Sequence, residues 1–424
     1  LAGETAPKTA SPSEPRLRRS LGLTLSVLYG LGVTIGAGIY VLIAPAVARA
    51  GAHAPLSFLL AALVMVPSAA AFAELSSRMP RSAGEATYVR AGLRSDMPAR
   101  LVGLLVVAIA VISAATVSRG SAGYISVFLD VPSAAIVTAV VVLLGALTAW
   151  GIKESVTFAG AMTIVEAGGL VLIIAIGAAF HTPELFERLP EAWHGLGDAK
   201  VMSGIFGAVL LAFFAFTGFE GLANLAEEVK DPAKTLPRAI FLTLVIVTVL
   251  YMMVVWVALI AVPHTELASS DAPLSLVYER VTGAPPGVIT AIAIAATING
   301  IVVFMVMGSR VIYGMASQGL LPGWLGAVNG RTHTPVLATA IVVVLVLALA
   351  LAFPIEKLAE ASSRVTLVVF AFVNAALLKL KLDRVPAPEG CFTIPIWVPA
   401  AGFAVSLGLL AIEFYAGGGG SGGG

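Results

Sequence analysis

The chain has 424 residues, of which 58% are hydrophobic and only 12% charged, with a formal net charge of +1 and a single cysteine. Its mean hydropathy is +0.98. A soluble chain carries about 25% charge, so the composition excludes a soluble globular class, and the balanced charge leaves no strongly basic face for nucleic acid. Cys391 alone excludes a disulfide framework and a cysteine-based metal site.

Residues 1–20 are polar and Pro/Ser-rich and read as a cytoplasmic tail. Arg16, Arg18 and Arg19 ahead of an apolar run mimic a signal peptide, but the run is too long and many more follow it. With no strand-like alternation, the chain reads as an all-α membrane protein and not a barrel. By the ~20-residue criterion about 11 transmembrane helices are expected, near 22–47, 54–77, 98–127, 132–151, 155–180, 202–225, 237–262, 286–317, 335–353, 362–382 and 394–415. The connection at 181–199 contains "PELFERLPEAW", read as a short surface helix, and a second long loop spans 263–285. Residues 417–424, "GGGGSGGG", read as an engineered Gly/Ser linker remnant. With the N-terminus cytoplasmic, one set of loops holds 12 cations, from Arg78 and Arg81 to Lys381 and Arg384. The other set holds only Arg49, Arg188, Lys200, Arg280, Lys357 and Arg364. This asymmetry follows the positive-inside rule.

Two spans carry weak helix formers at mid-depth. The first contains "LYGLGVTIGAGIY", with glycines at 30, 32, 36 and 38, and the sixth contains "FFAFTGFEGLAN" over 213–224. Each glycine costs roughly 1 kcal/mol of helix propensity relative to alanine. Four ordinary spans separate the two interrupted ones. A unit of five crossings is odd, so a second copy enters from the opposite side, and the pattern predicts a five-plus-five inverted repeat with discontinuous helices 1 and 6. Residues 21–180 form the first repeat, 181–200 an extracellular loop, 201–382 the second repeat and 383–416 helix 11. Broken backbone is tolerable only where it lines a buried polar cavity. Gly36, Ala37 and Gly38, following Thr34, then offer N–H groups and a positive half-helix end to a carboxylate. The carbonyls of Phe214, Ala215 and Thr217 receive an ammonium group. The competing reading is close helix packing by small residues. The spacing misses the dinucleotide fingerprint G-x-G-x-x-G.

These stretches resemble the amino acid–polyamine–organocation permease superfamily, close to its bacterial amino acid permeases. "TIGAGIY" resembles that family's first-helix motif, "FFAFTGFEGLANLAEEVKDPAKTLPRAI" (213–240) its sixth helix and following loop, and "GSRVIYGMASQGLLP" (308–322) the end of its eighth helix. "MPRSAGEATYV" (79–89) matches less well, with Ala83 and Ala86 where glycine and tyrosine are usual. The resemblance covers residues 20 to 415 and implies the leucine-transporter-type fold with a substrate site between helices 1 and 6. It places Phe214 as an aromatic gate over the substrate and gives Glu220 a role in proton-linked gating and in holding the broken helix. Many members have twelve helices, and eleven are counted here. Some proton-coupled relatives carry a lysine where Glu166 stands, so that mechanism does not carry over.

An ionisable side chain within a span costs roughly 2.5–3.5 kcal/mol on insertion scales. Three are noted: Arg119, Glu166 and Glu220. A buried carboxyl favours its neutral form unless a cation lies near it. Glu166 is read as a proton carrier, with a sodium ligand or a fixed partner of Arg119 as alternatives. Ala114, Ala115, Ser118, Thr297 and Asn299 are candidate cavity-lining residues. The function expected is a proton-coupled secondary transporter of amino acids in the inner (plasma) membrane. The alternatives are an exchanger of amines, polyamines or cationic amino acids, a non-transporting receptor, and an intramembrane enzyme. The last is disfavoured because the five histidines lie in loops or at span ends and no H-E-x-x-H or G-x-S-x-G element falls on a span. No cofactor and no metal site is expected, and the coupling ion is expected to be H+ over Na+. The partners expected are a small-molecule amino acid and the lipid bilayer, without nucleic acid.

Overall fold

A computed structural model describes residues 21–36, 38–80, 84–150, 156–224, 226, 229–332 and 334–418. The expected tail 1–20, Ala37 and most of the Gly/Ser terminus lie outside the described residues. The elements in chain order are helical. The first span is two helices, α1 (Leu23–Ile35) and α2 (Gly38–Ala50), and a 3-10 turn at Gly51–His53 leads into α3 (Ala54–Arg78). A short helix, α4 (Gly84–Leu93), occupies a stretch that lies between expected spans. Then come α5 (Asp96–Ser126), α6 (Ser133–Trp150) and α7 (Val156–Glu187). α7, the fifth expected span, runs on through "PELFE", where a separate surface helix is expected from sequence. Strong helix formers at Glu184, Leu185 and Glu187 sustain it, and only Leu189–Trp193 forms a 3-10 turn.

The sixth span is again divided, into α8 (Ala199–Phe216), whose start is capped by the Asp198 carboxylate accepting from the Lys200 N–H at 2.8 Å, and α9 (Gly221–Asn224). α10 (Pro232–Ala261) follows, with proline in its first turn. The 263–285 loop folds into α11 (His264–Ala268) and α12 (Pro273–Thr282). The chain continues through α13 (Gly287–Ser317), α14 (Val336–Ala352), α15 (Ile355–Leu382) and α16 (Trp397–Gly418).

Among the described residues, 8 helical stretches are long and apolar enough to cross a membrane, and Leu23–Ile35, Val336–Ala352 and Trp397–Ile412 are shorter apolar helices. Length alone therefore accounts for fewer crossings than the eleven expected, because the first span is split at its break and α14 and the apolar part of α16 are short. α5 lies at the centre, against α13, α15, α14 and α4, while α1 packs on α7 and α10, and α2 on α8. Leu143 of α6, Val245 of α10 and Val344 of α14 are exposed apolar side chains, as a hydrocarbon solvent requires.

Arg119, Glu166 and Glu220 are not the full set of buried charges. Glu74, inside the second expected span, is completely buried near the end of α3. Its Oε1 meets Arg78 Nε at 2.8 Å and Lys381 Nζ at 2.8 Å, and its Oε2 accepts from the Ile394 N–H at 2.8 Å. The carboxylate thus joins α3, the end of α15 and the loop leading to α16. Removing one member of a buried ionic cluster leaves the others uncompensated. Glu74→Ala is expected to cost about 3–5 kcal/mol, seen as a lower thermal midpoint in detergent and loss of folded protein. An unchanged midpoint would show that the cluster is not an anchor.

Candidate functional site

The two interruptions meet. α1 ends at Gly36, whose φ of 29° lies in the region that side chains avoid, and its N–H closes on Gly32 O at 3.1 Å. α8 ends at Phe216, and Gly218 has a φ of 127°. A Cβ at Gly38 would stand 2.8 Å from Ala215 Cα, and one at Gly218 would stand 2.6 Å from the Val33 carbonyl oxygen. The two unwound segments therefore lie backbone against backbone. This close approach accounts for Gly38 and Gly218, while Gly30 and Gly32 serve close helix packing, since a Cβ there would run into the side chains of Thr243 and Thr163.

The polar groups freed by the breaks are largely satisfied within the protein. The Phe214 carbonyl accepts from the Thr217 N–H at 3.1 Å and the Thr217 hydroxyl at 2.7 Å. The Glu220 carboxylate accepts from the Gly218 N–H at 2.8 Å, so it caps the broken backbone. The Tyr251 hydroxyl, from α10, lies 3.0 Å from Thr34 O and 2.9 Å from Ala215 O and ties the two breaks together. Tyr40 follows the first break and donates to the Glu166 carbonyl at 2.6 Å, while Tyr124 donates to Tyr40 O at 2.6 Å.

Beside the breaks lies a cavity with a water-accessible space of about 20 Å3, lined by Thr34, Gly36, Gly38, Phe214 and Thr217 from the broken spans. Asn299, Val303 and Phe304 of α13 close it from the other side. That space holds about one water, so the site is closed in this structure. Thr34 lines the cavity, and its hydroxyl has no hydrogen-bond partner among the described residues. Ala215 is packed behind the lining, and Ala37 lies outside the described residues. Of the five lining candidates chosen from sequence, only Asn299 reaches the cavity. Ser118 and Thr297 instead donate to carbonyls of their own helices, Ala114 O at 2.7 Å and Ile294 O at 2.9 Å. Ala114 and Ala115 are buried in the packing around α5.

Glu166 is fully buried on α7. Its Oε1 accepts from the Asn299 side-chain amide at 2.9 Å, and its Oε2 has no partner among the described residues. The alternative pairing with Arg119 is not found among the described residues. The Arg119 guanidinium donates to Ala350 O at 2.9 Å, near the C-terminal end of α14. A helix C-terminus carries partial negative charge, which supplies the counter-charge without a carboxylate. On the membrane face away from the start of α1, Arg49 at the end of α2 pairs with Glu360 of α15 and donates to Gly207 O of α8 at 2.9 Å. Ser363 of α15 donates to Leu210 O of α8 at 2.7 Å. These contacts hold α2, α8 and α15 together over the cavity.

Tyr251 and the Glu166–Asn299 contact are not evident from sequence. Both depend on helix rotation across large chain separations. A tyrosine inside an apolar span was the available signal, since a buried hydroxyl needs a partner.

Residues 20–423 match the family model described as amino acid permease. The chain is 30% identical over 417 residues to the branched-chain amino acid permease of Bacillus subtilis (strain 168), covering 91% of this chain and 86% of that one. It is 33% identical over 417 residues to an uncharacterized transporter of Mycobacterium tuberculosis (strain ATCC 25618 / H37Rv), covering 93% and 91%. It is 32% identical over 403 residues to the vacuolar cationic amino acid transporter 2 of Arabidopsis thaliana, covering 88% of this chain and 62% of that one.

Gly38→Val places a branched side chain where even a Cβ would meet Ala215 Cα at 2.8 Å. It is expected to separate the two breaks and weaken binding of a labelled α-amino acid at least about tenfold, or ~1.4 kcal/mol. Gly314→Ala, where nothing lies within 4 Å, is expected to leave binding unchanged. Unaltered affinity in Gly38→Val would remove the first break from the site.

Proposed function

The chain belongs to the amino acid permease family, and from that premise we propose that it carries α-amino acids with small apolar side chains across the plasma membrane by alternating access. The observation that carries this reading is the meeting of two helix breaks at one closed cavity lined by Thr34, whose hydroxyl has no partner among the described residues. The start of α2 turns its free N–H groups toward the break and suits a carboxylate. The carbonyls of the sixth-span break suit an ammonium, although those of Phe214 and Ala215 already hold protein donors, so substrate has to share or displace them. Val33, Val303 and Phe304 line the rest of the cavity, and no charged side chain among the described residues does so. That apolar lining favours a neutral side chain over a cationic one, in keeping with the branched-chain name of the Bacillus subtilis relative. Phe214 lines the cavity beside the sixth-span break and serves as its gate. The matching positions of the breaks support two inverted repeats of five spans, and the loop cations support a cytoplasmic N-terminus.

Coupling to protons is assigned to Glu166, with Glu220 holding the sixth-span break. Asn299 lines the cavity and also donates to Glu166. Substrate that reorients this amide changes what the carboxyl bonds to, and a proton on the carboxyl changes what the amide offers the substrate. A carrier uses a gradient only through such differential affinity.

The direct test is uptake by proteoliposomes of labelled leucine, arginine and isoamylamine, the decarboxylated counterpart of leucine. Each is measured with a proton gradient, with sodium and with neither. Leucine is expected to accumulate with the proton gradient, and the amine to be refused for want of a carboxylate. Equal transport of leucine and isoamylamine would refute a carboxylate site, and preference for arginine would refute the apolar specificity. Glu166→Gln keeps the shape of the protonated side chain. It is expected to abolish gradient-driven accumulation while leaving leucine binding within about threefold, or ~0.7 kcal/mol. Accumulation equal to the parent's would exclude Glu166 as the coupling group.

A further inference from the structure

A second cavity lies far from the helix breaks, on the outer surface where α10 begins. It is an open groove of about 620 Å3. One wall is a single face of α10, along which Lys234, Arg238, Leu242 and Val245 follow one another at helical spacing. The other wall is the loop after α15, where Phe392 packs edge-on against Phe241 with ring centroids 6.0 Å apart. That wall is fixed, because the Phe392 N–H donates to Ser77 Oγ at 2.9 Å and the Ile394 N–H to the buried Glu74. The groove is therefore built into the fold.

Its chemistry changes along its length. The end near the start of α10 carries two cations. Lys234 has only a loose contact with Asp231, at 3.6 Å between exposed side chains, and Arg238 is exposed with no side-chain partner among the described residues. The other end is apolar and runs onto Leu242 and Val245, which are 43% and 60% exposed, then onto the exposed Val249 and Met253. From Lys234 to Val245 the helix rises about 16 Å, roughly the hydrocarbon depth of one leaflet. The Lys230 N–H bonds Leu21 O at 2.8 Å, which places this end of α10 on the same membrane face as the start of α1, the face with the richer set of loop cations.

We propose that this groove is a binding site for an anionic phospholipid. Lys234 and Arg238 hold the phosphate, and an acyl chain lies along Phe241, Leu242 and Val245. Paired cations at headgroup level above an apolar channel match a charged head on a hydrocarbon tail. A soluble anion leaves the apolar half uncovered, and a zwitterionic lipid leaves the excess positive charge unanswered. The site is separate from the substrate cavity and does not depend on which substrate that cavity takes.

Cys391, the only cysteine of the chain, lines this groove and supplies a native reporter. The purified full chain in detergent is titrated with dioleoylphosphatidylglycerol or dioleoylphosphatidylcholine. Retained lipid is counted by native mass spectrometry, and Cys391 alkylation by a small maleimide is timed. Phosphatidylglycerol is expected to remain bound and slow alkylation at least about threefold, and phosphatidylcholine to do neither. The double variant Lys234→Gln/Arg238→Gln is expected to weaken phosphatidylglycerol binding about tenfold or more. Val245→Trp, which fills the apolar half, is expected to weaken it without changing charge. All three changes are at exposed positions, and size-exclusion profiles report folding. Equal retention of the two lipids, undiminished binding in the double variant, or protection of Cys391 by inorganic phosphate as strong as that by phosphatidylglycerol would each overturn the assignment.

Discussion

A peptide group in hydrocarbon has no water to turn to, and the architecture around the cavity follows from that constraint. Two spans give up their helical hydrogen bonds at mid-depth, so the freed groups need partners inside the protein. The breaks supply much of this for each other. Gly38 seats against Ala215, and Gly218 against Val33. The Tyr251 hydroxyl lies between carbonyls of both breaks. Because each break depends on the other, displacement of one half-helix exposes polar backbone on both. That interdependence suits the alternating access proposed above, which needs discrete arrangements in place of a continuum.

The sequence makes visible what is local. Apolar runs, the glycine clusters at 36–38 and 218–221, and the carboxyl of Glu220 beside the second cluster are all read within a few residues, and the structure places breaks at both clusters. What escapes is the rotation of each helix about its own axis. A span that is apolar all round has no moment to fix its facing. For that reason Asn299 reaches the cavity while Thr297, two residues away, bonds its own helix. The same gap hides Arg119's choice of the Ala350 carbonyl over Glu166. Glu74 escapes for a different reason. It sits near a span end, where a charge reads as ordinary, and its partners Lys381 and Ile394 are about 300 residues away along the chain.

The buried charges differ in how completely they are answered, and this separates their roles. Glu74 has a partner on each oxygen, including two cations. Such a group resists any change that would strip a partner away, and it anchors. Glu220 is spent on a backbone N–H at the break, so it moves only if the break moves. Arg119 answers a helix end. Among the described residues, Glu166 Oε2 is fully buried without a hydrogen-bond partner, and its Oε1 rests on a side-chain amide that also lines the cavity. A half-satisfied carboxyl in a dry interior is costly in its present state and is sensitive to one proton or one reoriented amide. Stability would be better served by a leucine at that position. Keeping a carboxyl there costs stability, and in the coupling proposed above the contact with Asn299 is the return, one hydrogen bond joining the carboxyl to the wall of the site.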